Sequence, residues 1–275
     1  MSDERRMRID PHIHTLASDG VSDVESVLAA AVRRKLDAIA ITDHERIDAA
    51  QAARDIATGR GLPVEVIVGE EISTRGGHLV GLWLTRRIKP WQSLKRSIAL
   101  VHEQGGLAIV AHPLPPYPLS CASENAIRRL MDEADPIYHP DALEGFNPTV
   151  ARLRWSRRVP ALAEELGIAS VAGSDAHAAR KVGSAATIVR GSSAADLRAA
   201  IAERDTAWEG RPYEWREQVR MFGAQQRKNA VAVRDEVLGR ARRDGTGRDL
   251  GYPGGRQRPI RFDRRAAGLA EDESA

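Results

Sequence analysis

Along residues 7 to about 205, short runs of apolar, often β-branched residues alternate with longer stretches whose apolar positions recur every three or four residues. This is the pattern of strands joined by amphipathic helices in repeated βα units. Strands are predicted at MRIDPHIH (7–14), AIAITDH (38–44), VEVIVGEEIS (64–73), HLVGLWL (78–84), LAIVAHP (107–113), ALEGFN (142–147) and ASVAGSDAH (169–177). Helices are predicted at VSDVESVLAAAVRRKL, IDAAQAARDIATGRG, SLKRSIALVHEQGG, SENAIRRLMDEAD and RLRWSRRVPALAEELG, and SAATIVRG followed by SAADLRAAIAERD closes the series. Ser22 is placed as N-cap of the first helix with Glu25 three residues on, and Gly105 and Gly167 as helix ends, where glycine accommodates a left-handed residue.

Strands such as AIAIT and LAIVA are apolar on both sides, as a parallel sheet covered on both faces requires. The expected fold is α/β, a barrel of mainly parallel strands, with an open doubly wound sheet as the alternative because strand count does not settle closure. The barrel domain is expected to occupy residues 1–209. Over 210–275, YEWREQVRMFGAQQRKNAVAVRDEVLGRARR reads as one long, mostly polar helix, followed by a basic, disordered tail rich in Gly and Arg.

Composition narrows the chemistry. The chain is 42% hydrophobic but only 4% aromatic over 275 residues, so the core must be filled by Ile, Leu, Val and Ala. Cys121 is the single cysteine, which excludes intrachain disulfides and a thiolate-rich zinc site. A metal, if bound, must be held by His and carboxylate. The start, MSDERRMRID, is charged where a secretory signal needs an apolar stretch, and no segment has the length of a membrane span, so a cytoplasmic protein with no membrane partner is expected. Net charge is a modest +3, with Arg concentrated near the C-terminus. Nucleic acid is one partner for such a stretch, and a solvated tail is the plainer reading. Nothing in the sequence speaks to oligomeric state.

Six of the eight histidines, His12, His14, His44, His78, His112 and His177, fall at or beside predicted strand ends. Residues at i and i+2 on a strand share a face, so His12 and His14 of DPHIHT can point at a single ion; Pro11 is expected to help end the regular strand. One HxH is weak evidence, but ligand types recur: Asp43 and His44 in TDHE, His112 in VAHP, Asp175 and His177 in AGSDAH. In parallel α/β folds the C-terminal strand ends converge on one crevice. Asp19, in SDGVSD, and Glu70 or Glu71, in VEVIVGEE, add carboxylates, which bridge cations and neutralise their charge. The mixture points to more than one metal. His78 also fits a satisfied core histidine, His102 and His139 read as structural, and Cys121 as an inert small hydrophobe.

Taken together, HIHTLASDG, ITDHE, GEEIS, HLVGL, GGLAIVAHP and GSDAH resemble the ordered motifs of the PHP family, named for its polymerase and histidinol-phosphatase members, over roughly residues 8 to 190. The resemblance implies a distorted (β/α)7 barrel holding two or three divalent ions, Mn, Fe or Zn, and hydrolysis of phosphate esters. It assigns His12, His14, Glu71 and Asp175 to one ion with Glu71 bridging, His78 and His112 to a second, and Asp19, His44 and His177 to a third. Glu71 is preferred to Glu70 because family motifs of the form G-x-E-I-S align there.

The implied reaction is attack of a cation-activated water on phosphorus, with Asp175, His177 and Glu71 at its centre. Arg180 and Lys181 follow GSDAH closely and are candidate phosphate contacts, with solvated loop charge as the alternative. Larger relatives that act on nucleoside bisphosphates or RNA 5′ ends carry an inserted subdomain before the AHP strand, and here only WLTRRIKPWQSLKRSIALVHEQGGLAIV occupies that place. At Asn147 some relatives have His. A small phosphomonoester or nucleotide is the expected substrate. The alternatives are a nuclease or phosphodiesterase acting on RNA or DNA ends, and a non-enzymatic metal-binding module.

Overall fold

The computed structural model describes residues 5–117, 119–220 and 223. Its elements are β1 (Arg6–Ile13), α1 (Val24–Arg33), β2 (Ala38–Ile41), α2 (Asp48–Gly59), β3 (Glu65–Thr74), β4 (Gly77–Leu82), α3 (Leu94–His102), β5 (Leu107–Val110), α4 (Glu124–Met131), β6 (Ala142–Phe146), α5 (Val159–Leu166), β7 (Ala169–Ala172), β8 (Ala185–Arg190), α6 (Asp196–Glu203) and β9 (Ala207–Gly210). Local chemistry sets the helix limits. Asp23 caps α1 by accepting from Ser26 N at 2.8 Å, so the cap lies one residue beyond Ser22, whose hydroxyl accepts from Ala179 N instead. Ser93 and Ser123 cap α3 and α4 in the same way. Pro160 lacks an N–H and belongs in a first turn, so α5 starts at Val159 rather than near Arg152; it stops at Gly167, where φ is 67°. Gly105, just past α3, also has positive φ.

Among the described residues nine strands form one sheet in the order β7-β6-β5-β4-β3-β2-β1-β8-β9. The ladders β1–β2, β2–β3, β5–β6 and β6–β7 are parallel. Those between β3 and β4, β4 and β5, β1 and β8, and β8 and β9 are antiparallel. The sheet is therefore mixed, where mainly parallel strands in a (β/α)7 arrangement were expected. The reason is connection length: β3 ends at Thr74 and β4 begins at Gly77, far too close for the crossover a parallel pair needs. The sheet curls into a nearly closed, barrel-like form. Thr187 of β8 accepts from Ala172 N and donates to Ala172 O, both at 2.9 Å, which holds the β7 edge against β8. The end of β1 is drawn to the same place by His14 N donating to Ala176 O.

Both faces of the sheet are apolar, as the sequence requires. On one, Ile39, Ile41, Val68, Ile72, Leu79 and Leu143 pack with residues of α1 to α5. On the other, Ile67, Val80, Leu82, Ile109 and Ala142 pack with Leu197, Ala200 and Ile201 of α6. By strand alternation this second face also carries Glu71, His78 and Glu144, so it passes from apolar to ligand-bearing along its length.

The segment after β9 packs against the body. Tyr213 is 2% exposed and its hydroxyl donates to Ser174 O at 2.7 Å; residues 215–220 and 223 are helical. The rest of the long helix predicted over 213–243, and the basic tail, lie outside the described residues. No helix among the described residues is long and apolar enough to cross a membrane.

Candidate metal centre

The strand directions bring the predicted ligands to one rim. Parallel strands β1, β2, β3, β5, β6 and β7 deliver their C-terminal ends there, and β4, running the other way, delivers its first residues, so His78 arrives opposite Ser73 of β3. β1 continues through Pro11 to Ile13, and the irregularity expected at the proline appears as a register shift against β2 between Asp10 and Ile13. Three residues at this rim, Glu45, His112 and Asp175, have φ of 53°, 29° and 50°, a strained backbone that persists only where surrounding contacts impose it. The loops are tied by Val21 N donating to His177 O and Thr42 N to Ile13 O.

His12 Nε2 and His14 Nε2 lie 3.2 Å apart. Glu71 Oε2 is 3.1 and 3.0 Å from them, and Asp175 Oδ1 is 3.7 and 3.4 Å away. Ligand atoms around a tetrahedral ion with bonds near 2.05 Å are separated by roughly 3.3 Å, so the spacing fits a cation. Two imidazole nitrogens facing each other and two carboxylates inside a buried cluster call for positive charge between them. A second group joins His14, Asp19 and His177, with His177 Nε2 3.0 Å from Asp19 Oδ2. A third joins His44, Glu71 and His78. His112 Nε2 and His78 Nδ1 approach Glu71 Oε1 at 3.1 and 2.8 Å. All nine candidate ligands named from the sequence thus meet, but His44 lies nearer Glu71 (3.6 Å) than Asp19 (4.0 Å). Glu70 points away and accepts from Ile88 N, burial pushing its carboxyl up to about 8.

Burial opposes charge on all these groups, and opposite charges packed together overcome it. Burial would lift Glu71, but the imidazoles of His44, His12 and His78 hold it well below the usual carboxylate range. Asp175, also buried, is held down by His12, His177 and His14. Burial would pull the imidazoles down, yet Glu144, Glu71 and Asp175 raise His12 well above its ordinary value. His14, against the same burial, is carried up to about 10 by Asp175 and Glu71. Ring protons or metal cations can supply the positive charge these carboxylates favour.

A cavity of about 230 Å³ opens over the cluster, lined by Glu71, His44, His78, His112, Asp175 and His177 and by Tyr117, Ser120, Cys121, Thr149 and Val150. Arg180 and Lys181 are not among its lining residues. Lys181 pairs with Glu217 and stands over the Tyr213 ring, while Arg180 is exposed on the turn after His177. Cys121 is not isolated in packing: its Sγ is 3.7 Å from His112 Nδ1. His102 holds Asp141, and His139 the Glu133 carbonyl, as structural histidines do.

Sequence reasoning missed several supporting residues. Glu144 touches His12 Nδ1 at 2.9 Å and accepts from His112 N and Asn147 Nδ2. Asn147 donates also to Asp175 Oδ2. Asp43, whose neighbourhood to His44 suggested ligation, instead fastens the loop after β1 by accepting from Thr15 and Ser18. Asp10 accepts from Ser174 N and Gly183 N. A carboxylate inside an apolar strand, as in ALEGF or RIDPH, was the available signal.

Residues 10–124 match the model of the PHP domain and residues 154–206 that of the PHP-associated domain. An uncharacterized protein of Methanocaldococcus jannaschii is 35% identical over 121 residues, 40% of this chain and 70% of that one. The chain belongs to the PHP domain family. The chain is also similar to the 5′-3′ exoribonuclease Rnm of Salmonella typhimurium, 42% identical over 77 residues that span 26% of each chain. In three dimensions the chain is similar to a two-domain protein of Bacteroides vulgatus containing a predicted PHP-like metal-dependent phosphoesterase: TM-score 0.62, 20% identity, 77% of this chain and 66% of that one. That likeness shows the same fold, and both matched segments, 10–124 and 154–206, carry parts of the rim described above.

Proposed function

We propose that this PHP protein hydrolyses phosphate esters, its substrate a small phosphomonoester or nucleotide, at a centre of two or three divalent cations. The observation that carries the reading is the convergence of His12, His14, Glu71 and Asp175, all buried, with donor atoms mutually within 4.8 Å. In this reading those four hold one ion; His44, His78 and His112 share a second with Glu71; and Asp19, His14 and His177 hold a third. Mn, Fe and Zn all suit His and carboxylate donors. When bound, such ions activate water as the nucleophile and screen the phosphoryl oxygens.

The chain supplies the rest. Glu71, facing all of the first two groups, balances their charge, and Asp175 does so from just past the end of β7. His177 is oriented by its own backbone neighbourhood, Nδ1 toward Asp175 O at 2.9 Å, leaving Nε2 turned toward Asp19. Arg180, exposed on the turn just after His177, is the phosphate contact in this reading, and Lys181, paired with Glu217, adds positive charge beside it. A small substrate is supported by the cavity volume and by the short passage between β4 and α3, residues 83–93. A nuclease or diesterase reading is favoured by the similarity to 5′-3′ exoribonucleases and to a phosphoribosyl 1,2-cyclic phosphate 1,2-diphosphodiesterase of Eggerthella lenta.

The test is a panel of sugar phosphates, mononucleotides, nucleoside bisphosphates and 5′-phosphorylated oligonucleotides assayed with added Mn²⁺. Turnover of small monoesters, abolished in Asp175→Asn while the variant remains folded, is expected. Turnover of oligonucleotides alone would establish the nuclease reading, and none at all would leave a binding module.

A further inference from the structure

Glu144 sits in the middle of β6, 4% exposed, and both of its oxygens are engaged. Oε1 faces His12 Nδ1 at 2.9 Å. Oε2 accepts from His112 N at 2.8 Å and from Asn147 Nδ2 at 2.9 Å. These contacts reach β1, the strained turn after β5 and, through Asn147, Asp175 after β7. Room for the pair is made by Gly173, where a Cβ would lie 2.5 Å from His12 Cβ and 2.6 Å from Glu144 Oε1.

We infer that Glu144 is the positioning residue of the metal centre: it keeps the ring proton of His12 on Nδ1, so that Nε2 presents its lone pair to the point shared with His14, Glu71 and Asp175. The inference rests on the metal-centre reading above. An imidazole ligates through one nitrogen, and the group bonded to the other decides which nitrogen is bare and how the ring is turned. Three donors converge on Glu144, and only a carboxylate, an acceptor at both oxygens, satisfies them all. A glutamine cannot. With its carbonyl toward His12, its NH₂ meets the His112 and Asn147 donors. With its NH₂ toward His12, it demands a bare Nδ1 and drives the proton to Nε2, which removes the ligand lone pair.

The experiment is Mn²⁺ titration of the EDTA-stripped full chain, wild type and Glu144→Gln, reading free Mn²⁺ by electron paramagnetic resonance beside thermal melting without metal. The expected result is a 10- to 100-fold weaker Kd for at least one ion in the variant, the scale of outer-partner losses at such sites, with a folded metal-free state. Equal affinities in the two proteins overturn the inference while leaving the metal centre standing; absence of Mn²⁺ binding to the wild type overturns both. If the variant does not fold, ¹⁵N-labelled, Zn²⁺-loaded wild type decides: a long-range ¹H–¹⁵N spectrum with His12 protonated at Nδ1 is expected, and protonation at Nε2 overturns the assignment.

Discussion

Tyr213 joins the segment after β9 to the backbone that carries Asp175, and Tyr213→Phe removes one oxygen from that junction. The hydroxyl donates to Ser174 O at 2.7 Å and lies 2.9 Å from Ser184 Oγ, in a side chain only 2% exposed. Burial pushes the phenol up, so it remains a donor at any working pH. Net hydrogen bonds contribute about 1 kcal/mol each, and an acceptor left buried without its donor costs about 1–3 kcal/mol, so the variant should lose about 2 kcal/mol. For a body of this size that lowers the melting midpoint by roughly 4–8 °C. Because Ser174 precedes Asp175, whose φ is 50°, kcat should fall with KM little changed. The assays are circular-dichroism melting and steady-state kinetics. A midpoint within about 1 °C of wild type would refute the reasoning that this contact bears on the fold. The same geometry predicts that truncation after residue 210 destabilises the body, since Tyr213 and the Lys181–Glu217 pair go with it.

Gly173→Ala should weaken both the fold and Mn²⁺ affinity, because its methyl must displace His12 or Glu144; overpacking of this kind costs about 1–3 kcal/mol, read by urea melting and Mn²⁺ titration. Metal affinity should rise with pH: His14 is carried up to about 10, and His12 and His112 lie above their ordinary values, so their protons must leave before the rings ligate. Apparent Kd for Mn²⁺ should tighten steadily from pH 6 to 9 with protons released on binding, and a flat profile would count against these rings as ligands. Mn²⁺ at a hundred times its Kd should stabilise the fold by about 2.7 kcal/mol per independent ion, a gain that EDTA reverses in a melting experiment.

The candidate site was legible because most of its residues stand at one end of a strong apolar run, and the end of a run is readable without knowing how strands pair. Strand direction was not readable in that way. HLVGLWL gives the same pattern whichever way β4 runs, and only the two residues between Thr74 and Gly77 force the antiparallel turn. β9, AWEG, is exposed throughout and offers no periodicity. Grouping of ligands was harder still: His44 belongs by sequence to a motif and by space to Glu71, because ring orientation depends on side chains that arrive from other strands. Glu144 and Asp10 were hidden for the opposite reason, being single carboxylates whose partners are backbone N–H groups and an imidazole far away in sequence. The Ser22 cap prediction failed by one residue because both Ser22 and Asp23 are good caps, and Ser22 is used by Ala179 N.

The central claim is that imidazoles and carboxylates from separate strands share cations at one rim. Anomalous diffraction from crystals soaked in Mn²⁺, collected near the manganese absorption edge, tests it directly. The account predicts a peak about 2.0–2.2 Å from His12 Nε2, His14 Nε2, a Glu71 oxygen and an Asp175 oxygen, the usual range for nitrogen and oxygen ligands, with at least one further peak on the far side of Glu71. A difference map with no peak among these residues, or with manganese bound only elsewhere on the protein, would contradict it.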